Sequence, residues 1–204
     1  MTPKKSKPAG PGRPRCSDAH QALLDAARKM LETKGYGGVT IEGLARESGV
    51  SKPTIYRWWP TKAAIYREIY VIDGADFLNR SDTGSLEGDL RVIMRGLCRL
   101  YTTTPHGRSL VGMFAEAQLD PRIMPDFAAG LQALRDKGTQ GAMKRAIQRG
   151  ELRRNFDVDF GSDVLFGPIL YRMMVAGRPL SISFVDAIVN SFLHGVGLMP
   201  SVKS

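Results

Sequence analysis

At 204 residues and a net charge of +9, the chain can bury a sizeable core in one or two domains. No stretch approaches the roughly 18 apolar residues of a membrane span, and the Lys- and Pro-rich start lacks the apolar centre of a signal peptide, so a cytoplasmic protein without a membrane partner is expected. Two cysteines, Cys16 and Cys98, are too few for a disulfide framework and match no metal spacing. Residues 1–70 carry 13 Lys and Arg against 6 Asp and Glu, a net of +7, which leaves 16 against 14, a net of +2, for residues 71–204. Such a bias is the footprint of a phosphate-binding surface, although a solvated face would give the same count.

Residues 1–15 are a low-complexity tail of Lys, Pro and Gly that cannot build a core, and disorder is expected there. Arg13 and Arg15 within it suit a narrow minor groove, whose negative potential attracts arginine on an extended arm. A merely solvating basic tail fits equally well. A first helix is expected from about Asp18 to Lys34, with Leu23, Ala27, Met30 and Leu31 inward, ending at Gly35. Thr40 then makes a good N-cap, and Ile41, Leu44 and Ala45 form an apolar stripe three and four residues apart. Gly43 weakens this short helix by about 1 kcal/mol relative to Ala. Gly49 supplies the left-handed exit, Val50 plugs the angle, and Ser51 caps a second short helix with Pro53 in its first turn. Ile55 and Trp59, four apart, give that helix its inward face. Pro60 ends it, Thr61 caps again, and a fourth helix runs through Ile65, Ile69 and Ile72. Two short helices around a Gly-centred turn are the layout of a helix-turn-helix, whose second helix enters the major groove of DNA.

The run Val50-Ser51-Lys52-Pro53-Thr54-Ile55-Tyr56-Arg57-Trp58-Trp59-Pro60-Thr61-Lys62 resembles the signature of the tetracycline-repressor (TetR) family of bacterial transcription regulators. About a dozen positions match in fixed order, which makes the motif specific. Many relatives carry Gly in place of Pro53 and Phe in place of Trp59. The resemblance covers roughly Asp18 to Ile72. It implies that Thr40, Lys52, Tyr56 and Lys62 hold phosphates, while Ser51, Pro53, Thr54 and Arg57 lie nearest the bases of double-stranded operator DNA.

A polar break at residues 80–85 precedes a region that reads as helices throughout. Leu86, Leu90, Ile93, Met94, Leu97 and Tyr101 mark one helix, closed by Pro105. Leu110, Val111, Phe114 and Ala117 or Gln118 mark another, ending before Asp120. A long one follows through Phe127, Leu131, Leu134, Met143 and Ile147 to Gly150, weakened by Gly138 and Gly141. Val164 to Met174 is apolar on more than one face, and a last helix follows Ser183. The expected architecture is therefore all-α: the tail, a helix-turn-helix domain over residues 16–72 with the fourth helix as connector, and a helical ligand-binding and dimerisation domain over residues 73–204.

Family resemblance implies that the last two helices pair with their copies in a homodimer, with Val185, Ile188, Val189, Phe192 and Val196 as the stripe involved. Ordinary monomer core is the competing reading. Tyr101, Met113, Phe114, Phe127, Phe166, Leu170, Tyr171 and Met174 are the expected lining of an apolar pocket for a small-molecule effector, although any helical core contains such residues. No catalytic residue, metal or cofactor is expected. His20, His106 and His194 are scattered, and Asp157 and Asp159 read as helix caps. The whole implies a ligand-responsive regulator, most often a repressor in this family. A sequence-tolerant architectural DNA-binding protein is the main alternative, and a helical small-molecule-binding protein a third.

Overall fold

The structure, a computed structural model, describes residues 14–78 and 82–197. Among these the fold is all-α, with no strand. The helices are α1 (Pro14–Lys34), α2 (Ile41–Ser48), α3 (Lys52–Trp58), α4 (Lys62–Leu78), α5 (Leu86–Thr103), α6 (His106–Leu119), α7 (Met124–Lys137), α8 (Thr139–Arg149), α9 (Val158–Leu170) and α10 (Ile182–Phe192). A 3-10 turn, Tyr36–Gly38, links α1 to α2, and π-helical turns continue α9 (Tyr171–Val175) and α10 (Leu193–Gly197). Pro168 inside α9 removes a backbone donor just before that helix widens into its π turn.

Three boundaries differ from expectation. Helix α1 starts at Pro14, where proline's fixed φ suits a first turn, so Arg15 is helical rather than part of an extended arm; Arg13 lies outside the described residues. The long helix expected through Phe127 and Ile147 is two, because Gly138 (φ −86°, ψ −104°) adopts a backbone no helix carries. Helix α10 starts at Ile182, since the Ser181 hydroxyl accepts from the Phe184 amide.

Helices α1 to α3 pack as one unit against the start of α4. Gly43 is buried there, and a Cβ at that position would come within 2.6 Å of Met30 Cε. The propensity lost in α2 is thus exchanged for a close approach to α1. Helix α4 then passes into the second unit, touching α1 on one side and α5 and α7 on the other. Helix α5 is the centre of that unit, packed by α4, α6, α8 and α10. Its buried Asp89 accepts from the Thr83 amide (2.6 Å) and hydroxyl (2.8 Å) and from Arg145 (3.0 Å), so the charge is paired on every side.

The stripe expected to meet a second copy is instead core of the single chain. Val185, Ile188, Val189 and Phe192 are each at most 8 % exposed, turned onto α5 and α9. A bidentate ion pair from Arg95 to Asp186 (both 2.8 Å) fixes α10 on α5, and Phe192 meets the Phe156 ring edge-on. The fifth residue, Val196, lies in the closing π turn.

Between the two units, Asp73 of α4 accepts from Arg28 of α1 (2.6 Å) and from His106 of α6 (2.9 Å). Burial opposes its ionisation, but the hydrogen bonds from His106 and Arg28 outweigh that and hold its pKa at about 2. A depressed folded-state pKa stabilises the fold above the unfolded value and is lost as pH falls through the folded one. About 2 kcal/mol of stability is therefore expected to vanish between about pH 4 and pH 2. Urea unfolding at stepped pH should show Asp73→Asn less stable at neutral pH and flatter across that window; an unchanged acid limb would mean that the triad adds nothing.

Candidate nucleic-acid interface and ligand cavity

Helix α3, the one expected to enter the major groove as the reading helix, is set by caps. The Thr40 hydroxyl accepts from the Gly43 amide at 3.0 Å, starting α2. Gly49 (φ +72°) ends it in the left-handed region, its amide bonded to Ala45 O at 3.0 Å. Ser48 donates to Leu44 O (2.7 Å) and accepts from the Val50 amide (3.2 Å), which tucks Val50 into the angle. Ser51 then caps α3 through the Thr54 amide.

Alone, the seven residues of α3 would be marginal. Buried Ile55 and Trp59 hold the helix down. Trp59 Nε1 donates to Glu68 at 2.7 Å, and His20 of α1 meets the same carboxylate at 3.0 Å while lying against the Trp59 ring. Ser51, Lys52, Pro53, Tyr56 and Arg57 are left exposed with Thr54 half-buried, forming one continuous outward surface. Lys52 is 3.0 Å from Glu42 in an exposed pair, a contact weak enough to exchange for a phosphate.

Lys62 is placed differently. Its ammonium lies 3.4 Å from Glu116 of α6 and 4.4 Å over the Tyr36 ring, with the side chain only 20 % exposed. Tyr36 donates its hydroxyl to the same carboxylate at 2.5 Å. Burial, then Glu116 itself, push the Tyr36 phenol far above its ordinary pKa, so it remains a donor. A second junction lies beside this one. Thr61, the cap of α4, accepts from the Ala64 amide and donates to Asp126 of α7 at 3.0 Å, and Asp126 also pairs with Arg67 at 3.0 Å.

Arg67 forms part of the wall of a small cavity of about 10 Å³, bounded by Tyr66, Tyr70, His106, Ser109, Leu110, Met113, Phe127 and Gly130. That is room for about one water molecule. Of the expected pocket residues, Met113 and Phe127 line it, and Phe114 packs against Phe127 with ring centres 5.5 Å apart. Tyr101 stands behind it, its hydroxyl bonded to that of Tyr70. Phe166 is core away from the cavity, Leu170 and Met174 are half-buried elsewhere, and Tyr171 is 62 % exposed. These four do not line the cavity: Phe166 and Leu170 belong to α9, which packs on α8 and α10, and Tyr171 and Met174 to the π turn beyond it. The lining that was missed comes from α4 (Tyr66, Arg67, Tyr70), α6 (His106, Ser109, Leu110) and α7 (Gly130); on α4, Tyr66 and Tyr70, four residues apart, were the available signal.

Among the described residues no group of His, Cys, Asp and Glu could hold a metal, and no helix is long and apolar enough to cross a membrane. The family profile for bacterial regulatory proteins of the tetR family matches residues 23–69, and that for the tetracyclin repressor-like C-terminal domain matches residues 80–192. An uncharacterized HTH-type transcriptional regulator of Bacillus subtilis, YdeS, is 34 % identical over 193 residues, covering 95 % of this chain and 97 % of its own. A DNA-binding transcriptional repressor TetR of Mycobacteroides abscessus is 28 % identical over 185 residues, covering 84 % and 90 %. The crystal structure of the TetR family transcription regulator SCO0332 superposes with a TM-score of 0.77 at 32 % identity, over 90 % of this chain and all of that one. With its capped reading helix and its all-α second unit, the chain belongs to the tetracycline-repressor (TetR) family of DNA-binding transcriptional regulators and is not an enzyme.

Proposed function

We propose that this regulator is a homodimeric repressor that holds a palindromic operator and releases it when a small apolar or amphipathic molecule opens the cavity. The carrying observation is the polar chain Arg67–Asp126–Thr61, which ties the cavity wall to the cap of α4 just after the reading helix. A molecule that displaces Arg67 changes what Asp126 holds, and so biases where α4 and α3 sit. Contacts that differ between two positions are what a population shift requires. Footprinting with and without candidate effectors tests it. One short protected palindrome, lost on effector addition, is the expected result; protection spreading along DNA without a preferred site would instead make this an architectural protein.

The dimer face that fits this reading is the exposed side of α9. Phe160 (55 % exposed), Gly167, Pro168, Tyr171 (62 %) and Val175 (70 %) follow one another at helical spacing. Beside them α10 exposes Ser183, Ala187 and Ser191, small residues four apart that permit close helix approach. Together they replace the buried α10 stripe as the surface offered to a second copy.

Ser51, Pro53, Thr54 and Arg57 would face the bases, with Thr40, Lys52 and Tyr56 at the phosphates. Lys62 reaches a phosphate only by leaving Glu116. Glu116→Gln is therefore expected to raise affinity for operator and random DNA severalfold and to steepen the salt dependence by up to about one counterion. Unchanged affinity and slope in a salt-titrated binding assay would remove Lys62 from the DNA contacts.

A further inference from the structure

An open groove of about 660 Å³ lies between the start of α6 and the turn that joins α9 to α10. Its floor is apolar, built from Tyr101, Val111, Met173 and Leu180, while Arg108 and Arg178 line it from the two sides. Among the described residues neither guanidinium has an ion-pair partner. Arg172 is used differently. It donates to Pro179 O at 2.8 Å, lies 4.2 Å from the Phe184 ring centre, and accepts at its carbonyl from the Arg178 amide at 2.9 Å. The turn carrying Arg178 is thus held in place rather than loose. On its inner side the groove ends at Tyr101, whose hydroxyl meets that of Tyr70, a residue of the small cavity's wall. The two rings are parallel, 6.3 Å between centres, and form the partition between groove and cavity.

We propose that this groove binds a molecule with an anionic head on an apolar body, the head taken by Arg108 and Arg178 and the body lying over Tyr101, so that the groove is the entrance to the cavity. Two cations lining an apolar floor without a counter-charge are electrostatically complementary to one anion, and a guanidinium matches carboxylate or phosphate oxygens in a bidentate fork. The floor gives an unbranched chain area to cover, and Met173 adapts to its shape. Parting the Tyr70–Tyr101 pair costs one neutral hydrogen bond, and both phenols regain a partner in water or ligand. This rests on the effector reading for the cavity, but the groove's own chemistry is tested without DNA.

The full-length protein is titrated calorimetrically with octanoate, octyl phosphate, octanol and acetate below their aggregation limits. Octanoate or octyl phosphate should bind, the tighter of the two identifying the head group, with octanol and acetate at least about tenfold weaker. Arg108→Gln and Arg178→Gln should each weaken the anionic amphiphile about tenfold, with melting temperature unchanged because both side chains are exposed. Octanol binding as tightly as octanoate, or wild-type affinity in the double variant, would overturn the proposal. Operator binding measured in parallel separates the two readings. An anion that binds through the arginines but leaves operator affinity unchanged keeps the groove and removes the effector mechanism. Operator release by another molecule, with no octyl anion bound, removes the groove alone.

Discussion

Phe192→Asp is expected to unfold the protein rather than release folded monomers. The ring is 1 % exposed, against Phe156 and α5, and an unpaired carboxylate there costs on the order of 4 kcal/mol or more. That is a large part of the roughly 5–15 kcal/mol available to a domain. Val175→Asp and Tyr171→Asp should behave in the opposite way, because both side chains face solvent in the single chain. Both variants should keep the wild-type helical circular-dichroism spectrum, while sedimentation shows a smaller species. Operator affinity should fall by two orders of magnitude or more, since a lone reading helix no longer spans two half-sites about 34–36 Å apart. A folded, monomeric Phe192→Asp would return the interface to the α10 stripe; a dimeric Val175→Asp with normal operator binding would move it off α9.

The second large effect is at the reading helix. Arg57 is exposed in the last turn of α3 and, among the described residues, has no ion-pair partner. Arg57→Ala should cost about 1–3 kcal/mol on the operator, roughly ten- to a hundredfold, and much less on a scrambled duplex. Lys52→Ala should weaken both duplexes alike and lower the salt slope by about one. Fluorescence anisotropy at stepped salt separates the two behaviours. Equal losses on both duplexes for Arg57→Ala would make it a phosphate contact.

The helix-turn-helix was legible because its instructions are local. Thr40, Gly49 and Ser51 act on neighbours within four residues, and the Ile55 and Trp59 pair needs only a helical repeat to declare its inward face. Non-local partners were not legible. The periodicity of α10 says that Val185, Ile188, Val189 and Phe192 are covered, and says nothing about whether α5 or a second chain covers them. Val164 to Met174 reads as apolar on more than one face, but its periodicity does not say which of those faces the chain leaves exposed, with Phe160, Tyr171 and Val175. On α4 the stripe Ile65, Ile69 and Ile72 hid the fact that this helix is enclosed on several sides: Ile72 is 44 % exposed, while Tyr66 and Tyr70 are buried toward the cavity. Gly43 was an unexplained weakness until Met30 was seen beside it.

The small volume of the cavity, about 10 Å³, also sets a threshold. An effector that fits only an opened form binds with its intrinsic dissociation constant divided by the fraction of molecules already open. If about one molecule in a hundred is open, the concentration needed for release rises about a hundredfold without any loss of contacts. Under the repressor mechanism proposed above, trace amounts of a well-fitting compound would then leave the genes silent, and only accumulation would switch them on. The set point can be retuned by substitutions that touch neither the effector nor DNA, such as those that loosen the Tyr70–Tyr101 partition.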